Sequence, residues 1–156
     1  MIVFLSVSAV QSMQAQEFES GEIFVNEEGI AIQGYDPVEY HLTLRAVRGD
    51  SSIRFQFQGA TFYFRNVVNK KLFADSPQKY IPAYGGFCSD ALSIPLKENQ
   101  PKPGRYASDP EHFIIYDDRL FLFCPDDERD ARTHWQSSGE VYIRRADSVW
   151  SVLLNS

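Results

Sequence analysis

The sequence predicts an α+β domain: a small antiparallel sheet built from hairpins and packed with several short helices. Three observations point there. Ile53, Phe55 and Phe57 alternate with Arg54, Gln56 and Gln58, the period of a half-buried strand. Two hairpin patterns recur, one turning at Gly59-Ala60 and one at Asp117-Asp118. Between them, helix signals are repeatedly cut short by Pro and Gly.

In chain order, Ile23 to Val25 and Ala31-Ile32 are short strand candidates around an Asn26-Glu27-Glu28-Gly29 turn. A short helix is expected from Pro37. Asp36 suits the N-cap, Pro37 the first helical position, and Glu39 has the spacing of a capping box. The strand through Phe57 turns into Thr61 to Phe64. Residues Asn66 to Ala74 read as a helix with Val68, Leu72 and Phe73 on one face. Ser76-Pro77 opens a further helical turn ending at Tyr80, and Pro82 and Gly85-Gly86 break the chain again. Residues 93–109 read as a long surface loop. Phe113 to Tyr116 and Leu120 to Phe123 form the second hairpin. Helices are expected over Asp126 to Gln136 and Glu140 to Asp147, with Trp150 anchoring the C-terminus.

Composition narrows the function classes. The 156 residues are 44% hydrophobic and 14% aromatic, enough for one cored domain. Net charge is −6 and there is no basic run, Lys70-Lys71 and Arg144-Arg145 being only pairs, which argues against a nucleic-acid partner. The first fifteen residues, MIVFLSVSAVQSMQA, are apolar and then small and polar, too short to span a bilayer. They read as a signal-peptide remnant over 1–15, with a single domain over 16–156 that is periplasmic or secreted. No transmembrane segment is expected.

The motif order resembles the YHS domain family in its exported, stand-alone form. The matching residues are GYDPVEY (Gly34 to Tyr40), GATFYF (Gly59 to Phe64) and LFADSPQKYIPAYGGFCS (Leu72 to Ser89). Asp109-Pro110 with Phe113, RLFLF (Arg119 to Phe123), Trp135 and ADSVW ending at Trp150 complete the match. The resemblance covers about residues 30–150. It implies a small α+β domain, often exported and mostly without assigned activity. Metal binding is its usual functional suggestion, because some relatives carry the domain beside metal-transport modules. Those relatives show YxFCSxxCxxxFxxxPxxY. Here Phe62, Phe64, Phe73, Pro77 and Tyr80 fit that frame, but Arg65 and Asn69 stand at the cysteine positions and Asn66 at the serine. Soft metals want thiolate or thioether ligands, so the metal site of those relatives reads as lost.

Other metal candidates are Cys88 and His41, with Cys124, His112 and His134 as further ligand types; none sit at close ligand spacing. In an oxidising compartment Cys88 and Cys124 can instead pair. An enzymatic reading would require Cys88 as a thiolate nucleophile with one of the three histidines as base. GxGxxG, P-loop and GxSxG patterns are absent.

The stretch YIPAYGGFCSD, Tyr80 to Asp90, leaves two readings open. One is a tight corner closing the core. The other is a small-ligand pocket lined by Tyr35, Asp36, Tyr84, Gly85, Gly86 and Cys88. Function is thus expected to be non-catalytic binding of a small ligand or metal ion, with the alternative of an interaction domain forming a homodimer through exposed aromatics.

Overall fold

The computed structural model describes residues 22–95, 102–125 and 131–156. The expected signal segment, part of the surface loop and the start of the first C-terminal helix lie outside these residues. The described architecture is α+β, with two two-stranded antiparallel sheets rather than one.

Strands β1 (Asp50–Phe57) and β2 (Ala60–Phe64) pair in the register Phe57↔Ala60 and Phe55↔Phe62, with an irregularity between Asp50 and Arg54. Gln58 and Gly59 both take positive φ, which a two-residue hairpin needs to match strand twist. Strands β3 (Asp109–Tyr116) and β4 (Arg119–Phe123) close the same way, with positive φ at Asp117 and Asp118. The segment before β1 joins the first hairpin: Ala31 N–H donates to the Thr61 carbonyl and Thr61 N–H to that of Gly29. Ile32 does not extend a strand. It turns away with φ +50.

Helix α1 (Pro37–Thr43) starts where expected, with Asp36 accepting from Val38 N–H at 2.8 Å. The capping box does not close. The Asp36 N–H donates to the Val47 carbonyl, and Glu39 turns inward to accept from Asn69 Nδ2 at 2.9 Å. Helix α2 (Val67–Asp75) is capped by Asn66 and buries Asn69 and Phe73, one helical turn apart on one face. Val68, expected on that face, is exposed because it lies one position off this axis. Helix α3 (Pro77–Tyr80) and helix α4 (Ser89–Ser93) flank a 3-10 turn at Ala83–Gly86.

The C-terminal region differs most from expectation. Its two helices run on as one element, α5 (Ala131–Leu154), bent at Ser138 (φ −143, ψ 33). The next residue, Gly139, lets the Tyr116 ring approach: a Cβ there would lie 3.1 Å from it. Helix α5 continues past Asp147, so Trp150 sits on the helix and packs on Tyr84 and Phe87.

Two cores result, and β4 separates them. Leu120 and Leu122 face the first, where Phe55, Phe57, Phe62 and Phe64 converge on Phe73. Phe121 and Phe123 face the second, against Trp135 at 5.2 and 5.3 Å between ring centroids. Burial on both faces explains why Leu120 to Phe123 is a continuous apolar run rather than an alternating one.

Candidate functional site

The corner from Ile81 to Gly85 forms one wall of a cleft of about 600 Å³. The opposite wall is the last part of α5, through Asp147, Trp150, Ser151, Leu154 and Asn155. Gln58, Gln78, Lys79, Asp118 and Arg119 complete the polar lining, while Ile23, Phe57 and Pro82 add apolar surface.

The corner's shape follows from its residues. Pro82 fixes the approach, then Tyr84, Gly85 and Gly86 take three successive positive φ values. Gly85 is required by contact as well as by φ: a Cβ there would fall 1.8 Å from the Glu22 carbonyl oxygen. Residues 22–25 lie across it as a strap, with Phe24 N–H donating to the Gly85 carbonyl at 2.9 Å and the Phe24 ring on Phe87. Arg105 pairs with Glu22, donates to the Leu153 carbonyl and lies over Trp150. Through Arg105, the loop after residue 102 thus joins the strap to α5 beside the cleft.

Its most ordered polar feature is a trio. Tyr84 donates its hydroxyl to Asp147 Oδ1 at 2.8 Å, and Arg119 holds both oxygens of that carboxylate at 3.0 and 3.3 Å. Burial, then the bond to Asp147, pushes the Tyr84 pKa far above its ordinary value, so the phenol stays protonated. Burial, the largest single influence, lowers the Arg119 pKa, but the hydrogen bonds and charges of Asp147 and Tyr84 together outweigh it and the net shift is upward. The trio is a hydrogen-bonded wall in which the Arg119 and Asp147 charges are paired.

Of the expected pocket residues, Tyr84 and Gly85 line the cleft. The others do not. Gly86 backs onto Pro82 and Leu122, and its carbonyl accepts from Ser108 Oγ at 2.6 Å. Cys88 is fully buried and disulfide-bonded to Cys124, with Cα atoms 5.1 Å apart. That removes Cys88 as a thiolate ligand and as a nucleophile. Tyr35 donates to Glu111 Oε1 at 2.9 Å beneath the Arg48 guanidinium, away from the cleft. Asp36 is fully buried and accepts from Val38 N, Arg65 N and Asn69 Nδ2. It is a structural hub, and Asn69, at a cysteine position of the metal-type pattern, bridges it to Glu39. Arg119, Asp147, Lys79 and Asp118 were not foreseen as site residues. The only signal for the first two lay in RLFLF and ADSVW, read there as family motifs.

The metal candidates do not assemble. Among the described residues no group of three or more His, Cys, Asp or Glu is placed to hold an ion. His112 lies 3.6 Å from Asp109, and His134 is exposed on α5. His41 is buried edge-on against Tyr80, and both its ring nitrogens lack a hydrogen-bond partner among the described residues. Asp118 is 3.8 Å away, too far to hydrogen-bond. Burial pulls the His41 pKa below its ordinary 6.5; Lys79 adds to this and Asp118 opposes it.

A pH signature follows. With a folded pKa below the unfolded one, the unfolded chain binds the extra proton first. Stability is full above about pH 6.5 and is lost as pH falls through the lower folded-state pKa. His41→Phe keeps the ring contact and discards the orphaned nitrogens. Thermal melts of both proteins between pH 7.5 and 5 should show the variant losing less stability on acidification; parallel losses would contradict the assignment.

No family model, curated protein or solved structure matches the chain in comparisons with known proteins. No helix among the described residues is long and apolar enough to cross a membrane.

Proposed function

We propose that this chain is an exported, YHS-like, non-catalytic module that binds a small, largely apolar ligand in the cleft between the Ile81–Gly85 corner and α5. The observation that carries it is the cleft itself. Its volume of about 600 Å³ lies within the usual range of ligand sites, and an apolar lining meets a rigid polar wall. The Cys88–Cys124 disulfide and the apolar N-terminal stretch support the periplasmic or secreted location. Motif order alone supports the YHS reading.

Self-association is a second reading. Leu42, Leu44, Val67 and Val68 are each more than half exposed, and Tyr106 is the exposed aromatic among the described residues. A homodimer would therefore use aliphatic side chains rather than the aromatics expected.

Titration with the neutral fluorophore N-phenylnaphthylamine tests the cleft. Ser151 is exposed and lines it, so Ser151→Trp fills the space without touching either core. The expected result is saturable binding to the wild type, at least tenfold weaker in the variant, with unchanged melting temperature. Equal binding by both would contradict the proposal.

A further inference from the structure

Four charged side chains line the cleft, and only one cation among them is unmatched. Arg119 and Asp147 neutralise each other through two hydrogen bonds. Asp118 is 76% exposed and solvated on its outer side, with the buried His41 ring behind it. Lys79 has no carboxylate partner among the described residues; its ammonium lies 5.6 Å from the Tyr80 ring centroid. The aromatic surfaces offer no open cage for a cationic ligand, because Arg119 already covers Tyr84 and Arg105 covers Trp150.

We infer that the cleft takes a small amphipathic organic monoanion, its apolar body against Ile81, Pro82 and Leu154 and its carboxylate or sulfonate head at the Lys79 ammonium. This rests on the cleft being a binding site. Asp118 acts against the head group and limits the preference, and Lys79 is exposed, so the charge contact is partly screened. A contribution of about 1 kcal/mol at such a site corresponds to roughly fivefold in affinity. The chain's net charge of −6 repels anions, so any anion preference must arise locally.

Two probes with the same body separate charge from fit: neutral N-phenylnaphthylamine and anilinonaphthalene sulfonate. The wild type should bind the sulfonate about fivefold more tightly at low salt, with the gap closing as salt is raised. Lys79→Gln should bring the two probes level and Lys79→Arg should keep the gap, whereas Asp118→Asn should widen it. Displacement of the bound sulfonate by decanoate or by naphthoate would support the assignment and tell a chain from a ring. Displacement by neither would contradict it. Equal affinity of the wild type for both probes, or a gap that survives Lys79→Gln, would overturn the anion assignment while leaving the cleft standing. Insensitivity of both probes to Ser151→Trp would overturn the cleft reading with it.

Discussion

Asp36→Ala is expected to destabilise the fold by about 3–5 kcal/mol, because buried N–H donors left without an acceptor cost about 1–3 kcal/mol each and the helix cap is lost as well. Asp36 has no solvent exposure, and its carboxylate accepts three hydrogen bonds from three different parts of the chain. Alanine leaves the Arg65 N–H and one Asn69 amide hydrogen without an acceptor and removes the α1 cap. Glu39, 4% exposed, is then held less firmly: Asn69 is no longer fixed by Asp36, and the Arg65 guanidinium is 3.7 Å away. For a domain of this size the loss corresponds to a melting temperature lower by roughly 6–20 °C. Urea unfolding measures it directly. A change below about 1 kcal/mol would mean the carboxylate is not the hub described.

The second large effect concerns the disulfide. Cys88 and Cys124 are 36 residues apart, and closing a loop of that length restricts the unfolded chain by about 4 kcal/mol in the chain-entropy model. The bond also ties the corner to the end of β4, so the cleft wall and the second core share it. Cys88→Ala/Cys124→Ala is expected to lower the melting temperature by roughly 8–16 °C. Intact mass of protein purified without reductant should be two hydrogens below the dithiol, with no reactive thiol until unfolding. Two titratable thiols in the folded protein would contradict the pairing and withdraw the main support for an oxidising compartment.

What the sequence revealed was local. The Asp36-Pro37 helix start, the alternation through Phe57 and the Asp117-Asp118 turn each depend on neighbours a few residues away, and each appears where expected. The errors came from contacts distant in sequence. Glu39 had the spacing of a capping box, but Asn69, thirty residues on, draws its side chain inward. Asp36 and Tyr84 both carry groups suited to a pocket, yet tertiary packing sends one into the core and the other to the cleft wall. Lys79 and Asp118 carry no sequence pattern because they come from a helix end and a hairpin turn that converge only in the fold. The C-terminal helices are expected as two, one ending at Gln136 and the next starting at Glu140. The structure bends there and continues.

The most direct test of the binding account is an amide and methyl NMR map of the isotope-labelled protein with and without N-phenylnaphthylamine. The account predicts the largest shifts at Ile23, Ile81, Leu154 and the Trp150 indole, with Val67, Val68, Leu42 and Leu44 unmoved. Shifts confined to those four exposed aliphatic residues, with the cleft silent, would contradict it and favour an interaction surface instead.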